Sequence, residues 1–228
     1  TPLYSSAASD VYKRQGFNVV HEAAPMWTTP GNGVVVKGVI VSLTKPDVVR
    51  AGVEILDAYG LGDLSMRRLA ERLGVKAGAL YWHVANKQSL LAAVSDEILA
   101  VDGGPTTVPS QDAELSDGVD EWARCFRATL LAHRDGAELV ASTISVGLGK
   151  TDPTVKLRQF MECQGVCRER ADSVCRALVH LVLGHTMEEQ TRTQLHDLGV
   201  VGKIDPARQD DDFDLALAIF VAGLVSLL

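Results

Sequence analysis

Tyr81, Trp82 and His83 stand side by side between Lys76 and Lys87. No single helical face buries three consecutive side chains, so at least part of this set must point outward. Exposed aromatic rings and an imidazole suit contact with thymine methyls, sugars and phosphates in a DNA major groove. Lys76 and Lys87 bracket the triplet and could hold the phosphate backbone, while Arg67 could reach a guanine edge or a phosphate. Ala77, Gly78 and Ala79 are small and would let the chain approach the base pairs closely. The competing reading makes Tyr81 and Trp82 packing between domains and the basic residues ordinary surface charge.

Presenting such a set requires a particular local frame. Thr44, Pro46 and Asp47 form a helix start of capping-box type, and Val49, Val53 and Leu56 repeat at helical spacing until Gly60. Ser65 can cap a second helix, with Leu64 and Leu69 as a hydrophobic staple and Gly74 as its stop. Only "VKAG" separates this from a third helix, "ALYWHV", whose inward pair is Leu80 and Val84. Two short helices joined through a glycine-containing turn predict a helix-turn-helix. A fourth helix starts at Asn86 and carries Leu90, Leu91, Val94 and Ile98.

Beyond residue 100 the pattern stays helical. Trp122, Phe126 and Leu130 mark one helix ending at "HRDG", and Leu139, Val140 and Ile144 a shorter one. Asp152–Pro153 signals another start, and a long amphipathic helix follows from "ERADSV". An apolar helix closes the chain. No β alternation is evident, so the expected fold is all-α: a three-helix head with a helix-turn-helix over 42–88 and a larger helical domain over 89–228. Residues 1–41 are broken by Pro and Gly and are expected to be a flexible or non-native leader, with a natural start near Val41. The "VSLL" end is expected to lack a last turn.

Composition narrows the function classes. The chain has 228 residues, 46% hydrophobic but only 5% aromatic, which fits a helical globular protein. Residues 1–87 hold ten basic against seven acidic side chains, whereas 88–228 hold twelve against twenty-two. A basic front on an acidic body confines any polyanion contact to the front. No apolar run reaches the roughly 18 residues of a membrane span. Cys125, Cys163, Cys167 and Cys175 follow no secreted disulfide pattern and read as buried reduced thiols, acting as small apolar residues in a cytoplasmic protein. Cys163, Cys167 and Cys175 could instead form a metal or redox site; no metal and no cofactor is expected.

The stretch from Leu43 to Ile98 resembles the DNA-binding part of the TetR family of bacterial regulators, and "LYWHVANKQSLL" is similar to its tetracycline repressor branch. "FRATLLAHRDGAEL" and "HLVLGHTMEEQ" resemble segments of that branch's larger domain. The resemblance implies a homodimer on double-stranded operator DNA, dimerising through the long helix and the last helix, with a small-molecule pocket in each body. It places Arg67, Tyr81, Trp82, His83 and Lys87 at operator-contacting positions, and residues 77–79 where larger base-reading residues stand in the repressor. Phe126, Thr143, His180 and Glu188 match pocket positions. Trp122 stands in place of an amide, Ile144 of an arginine and Val140 of the metal-binding histidine. These exchanges point to an apolar or aromatic inducer, with a tetracycline–magnesium inducer controlling an efflux gene as the alternative. Ile144 could equally be core packing, and His180 a satisfied core histidine.

Two other classes compete. An enzyme would need a catalytic motif, yet GxSxG, HExxH, P-loop and dinucleotide glycine patterns are all missing. His133, Arg134 and Asp135 resemble a kinase catalytic loop but lack its glycine-rich loop and DFG partner. A ligand-independent architectural DNA-binding protein would have no use for so large a body.

Overall fold

The computed structural model describes residues 33–36, 39–107, 109–110 and 112–227. Among them, nine α-helices follow one β-hairpin. β1 (Gly33–Val36) pairs antiparallel with β2 (Val39–Ser42), Gly33 opposite Ser42 and Val36 opposite Val39. The fold class is all-α as expected, with this short hairpin the one exception among the described residues. Its β-branched runs, "GVVV" and "VIVS", flank Lys37-Gly38, but each is too short for alternation to show. The expected leader is otherwise outside the described residues.

Helix α1 (Lys45–Tyr59) begins as its sequence dictates. The Thr44 N–H donates to Asp47 Oδ2 at 3.1 Å and the Asp47 N–H returns the bond to Thr44 Oγ1 at 3.4 Å. Helix α2 (Met66–Leu73) starts at Ser65, whose hydroxyl accepts the Arg68 N–H at 3.2 Å, and Gly74 ends it in the left-handed region. Leu64 and Leu69 are fully buried on either side of that cap.

The third helix differs from expectation. Helix α3 spans only Ala77–Leu80, and Tyr81, Trp82 and His83 form the turn after it. The Leu80 carbonyl accepts the N–H of both His83 and Val84 at 2.9 Å, which closes one turn and propagates no further. Two aromatic residues, His and Val in succession are poor helix formers, so nothing local extends it. Leu80 and Val84 are nonetheless both buried.

Helix α4 (Lys87–Leu99) starts where Asn86 Oδ1 accepts the Ser89 N–H at 2.8 Å. It belongs to both parts of the molecule. Its Leu90, Leu91, Val94 and Ile98 lie in the same core as Val48, Ile55, Leu56, Leu69 and Leu80 of the head. The expected boundary at 88/89 therefore falls at the start of α4, and the head's core continues to Ile98.

The body consists of α5 (Leu115–Leu131), α6 (Gly136–Val146), α7 (Val155–Cys163), α8 (Arg168–Asp197) and α9 (Pro206–Leu227). Its core gathers Trp122, Phe126 and Leu130 of α5, Leu157 and Phe160 of α7, Val182 of α8 and Phe213 of α9. One residue of α6, Leu139, belongs instead to the head's core. Helix α6 thus packs directly against α4, the helix that carries the head.

Candidate nucleic-acid interface and ligand cleft

Burial sorts the head residues cleanly. Leu80 and Val84 are in the core while Tyr81 and Trp82 between them are 52% and 77% exposed, and His83 is half-buried. Two large aromatic rings held in water by a buried residue on each side form a contact surface with no partner among the described residues. Lys76 and Lys87 are exposed at the starts of α3 and α4, and neither is in an ion pair among the described residues. Arg67 is 89% exposed, with Glu71 3.6 Å away. Its neighbour Arg68 is occupied differently, paired with Asp63 and stacked 4.1 Å over the Tyr59 ring. Ala77 and Gly78 are exposed, and a Cβ added at Gly78 meets nothing within 4 Å.

A cleft of about 330 Å³ opens in the body between α4, the C-terminal end of α6, the loop from Gly147 to Thr154, α7 and α8. Its near wall is fastened to α4. The Thr143 hydroxyl donates to Ser95 Oγ at 2.8 Å, and the backbone N–H groups of Lys150 and Thr151 both donate to Asp96 Oδ1 at 2.8 Å. The loop is thus tied directly to the same helix that begins a few residues after Tyr81, Trp82 and His83.

The family model described as "Bacterial regulatory proteins, tetR family" matches residues 48–94, and "Tetracyclin repressor-like, C-terminal domain" matches 108–203. Tetracycline repressor protein class G of Vibrio anguillarum is 35% identical over 153 residues, 66% of this chain and 71% of that protein. The chain belongs to the TetR family. Among solved structures, Mycobacterium smegmatis BioQ is 38% identical, covering 81% of this chain and 98% of its own, with a TM-score of 0.71. BioQ with its natural double-stranded DNA operator gives 0.66 at the same identity, over 80% of this chain and 98% of that one. A single-residue variant of TetR from Acinetobacter baumannii AYE, in complex with minocycline, is 31% identical, over 81% and 98% of the two chains, with a TM-score of 0.68.

In this TetR-family chain the seven expected pocket residues do not share one cavity. Thr143, Ile144 and His180 line the cleft, and the last two are exposed rather than in the core. Trp122, Phe126 and Val140 are buried behind it. The Trp122 indole N–H donates to the carbonyls of Pro105 and Pro153 at 2.9 and 3.1 Å, so its polar edge is spent tying two loops together. Glu188 lies two turns from His180, about 12 Å along α8. It is exposed, 2.8 Å from Arg192, and lines a separate groove between α8 and α9.

Sequence reasoning missed Ser95, Lys150, Asp152, Arg158, Asp172 and Arg176, all on the cleft wall. One signal was available. Asp172, Arg176 and His180 recur at four-residue spacing and so share a face of α8. Among the described residues no group of three His, Cys, Asp or Glu side chains could hold a metal ion; Cys175 is buried as expected, but Cys163 and Cys167, at the C-terminal end of α7 and just before α8, are exposed, which corrects their reading as buried thiols. No helix among them is long and apolar enough to cross a membrane.

Proposed function

We propose that this chain is a ligand-responsive, cytoplasmic transcriptional repressor that binds a near-palindromic operator as a homodimer and is released by a small molecule. The observation that carries the reading is helix α4. One end carries Lys87, a few residues after the exposed Tyr81 and Trp82 and the half-buried His83, and further along Ser95 and Asp96 hold the cleft wall. A ligand that displaces the Gly147–Thr151 loop removes the Asp96 bonds and favours a different α4 position, hence a head spacing that no longer fits two half-sites. The solved relatives named for a DNA operator and for minocycline support both halves of this scheme.

The dimer follows from α9. Leu215 and Ile219, one turn apart on a single face, are 61% and 65% exposed among the described residues. Burying it against a second copy, with α8 alongside, gives an isologous four-helix contact. No reaction is assigned: the cleft's carboxylates are engaged by Arg158, and the Cys175 thiol beside them is held protonated by burial. A tetracycline–magnesium inducer is disfavoured by the burial of Val140 and the distance of Glu188 from the cleft.

Selection of bound fragments from genomic DNA, followed by fluorescence anisotropy on the recovered fragment, tests the proposal. Specific binding by the ligand-free chain that strengthens as salt falls is expected. Failure to enrich any fragment over random DNA would refute it.

A further inference from the structure

The cleft carries an unequal set of charges. Asp152 and Asp172 share one guanidinium, that of Arg158, at 3.0 and 2.5 Å. Asp152 also accepts the backbone N–H and the hydroxyl of Thr154 at 2.8 and 2.7 Å. Burial alone would raise the Asp152 pKa, but the Thr154 bonds and Arg158 outweigh it and hold the carboxyl below its usual value. Both carboxylates are thus engaged. Two more cations line the cleft, Lys150 and Arg176, and neither has an ion-pair partner among the described residues. Beside them the wall is apolar, formed by Ile144, Pro153 and Val179. The Cys175 thiol adds no charge, since burial pushes its pKa up to about 11.

We propose that the ligand is an amphipathic organic acid with a single negative charge, its carboxylate between Lys150 and Arg176 and its apolar body against Ile144, Pro153 and Val179. The proposal rests on the reading of this cleft as the effector site. A cationic ligand would find Asp152 held by Thr154 and Arg158, Asp172 already paired with Arg158, and two uncompensated cations beside them. A neutral ligand would lie against Lys150 and Arg176, both exposed, without supplying the counter-charge that an anion brings to them. A dianion would meet the net negative Asp152–Arg158–Asp172 group. The space, about 330 Å³, suits a small ligand, at the lower end of small-molecule sites at roughly 300–1,000 Å³. The expectation of an apolar or aromatic inducer is thereby extended by one charge.

Isothermal titration of the full chain with two matched pairs tests this: 1-naphthylacetate against 1-naphthylacetamide, and octanoate against octanamide. In at least one pair the acid is expected to bind about tenfold more tightly than its amide, the scale of a charge-assisted hydrogen bond. That preference should vanish in the Lys150→Gln/Arg176→Gln double variant, whose fold is checked by circular dichroism, and return in Lys150→Arg/Arg176→Lys. Equal affinities, an acid preference that survives the double variant, or no binding by any of the four at millimolar concentration would each overturn the proposal. Operator binding by the ligand-free chain is measured in parallel. Its loss would count against the repressor reading alone, because the calorimetric preference does not depend on DNA.

Discussion

Asp135, in the turn between α5 and α6, accepts the backbone N–H of Leu61 at 2.7 Å, across 74 residues of sequence. It is the one non-glycine residue with positive φ among those described, at 55°, and the Gln194 side chain of α8 holds its other oxygen. His133, two residues earlier, lies 3.0 Å from Asp57 of α1. The "HRDG" turn is therefore a second tie between head and body, independent of α4. Gly60 makes it possible. At φ 86° and ψ 173° its backbone is open to glycine almost alone, and an added Cβ would sit 2.6 Å from Asp135 Oδ2.

Gly60→Ala is accordingly expected to destabilise the chain by about 1–3 kcal/mol, from backbone strain and the displaced carboxylate. Asp135→Ala should cost less stability but lower operator affinity, since the HRDG tie loses its bond to Leu61 and keeps only the His133–Asp57 contact. Urea denaturation measures the first effect and anisotropy the second. A Gly60→Ala chain as stable as wild type would remove the strain argument.

Removing a reading side chain should weaken specific binding without unfolding the head. Tyr81→Ala or His83→Ala is expected to cost about 1–3 kcal/mol on the selected operator, with an unchanged melting midpoint. Lys87→Ala should weaken all sequences together and flatten the salt dependence. Since a side chain at Gly78 meets no neighbour, Gly78→Ser should alter base preference at equal stability. Wild-type operator affinity in His83→Ala would end the assignment of this surface.

Charge placed on the apolar face of α9 should separate the protomers. Leu215→Glu combined with Ile219→Glu is expected to give a monomer by light scattering at micromolar concentration, and operator affinity should fall with it. A wild-type chain that is already monomeric under those conditions would refute the dimer.

Tetracycline provides the sharpest contrast with the relatives it names. Val140 offers no lone pair where a metal-binding histidine was expected from resemblance, and Mg²⁺ demands oxygen or nitrogen ligands in near-octahedral array. Titration of tetracycline with and without Mg²⁺ is expected to leave operator binding unchanged. Sub-micromolar, magnesium-dependent release would instead restore the tetracycline reading.

Short-range chemistry determined most of the head in advance. The Thr44–Asp47 box, the Ser65 and Asn86 caps, and the stops at Gly60 and Gly74 each involve residues within four positions, so the local sequence carries them. The burial of Leu80 and Val84 with Tyr81 and Trp82 left in water was legible for the same reason, although the helix under them ends earlier than its pattern suggests. The cleft was not. Its walls come from five separate stretches between Ser95 and His180, and no periodicity reports that Lys150 and Arg176 meet the same space. Trp122 shows why. Its size and position mark it equally for a pocket or a core, and only the carbonyls of Pro105 and Pro153, brought within hydrogen-bonding reach from two loops, decide for the core. Caps and turns are satisfied within the segment that encodes them, whereas a cleft is the space left over when distant segments pack, and tertiary structure alone decides which side chains border it.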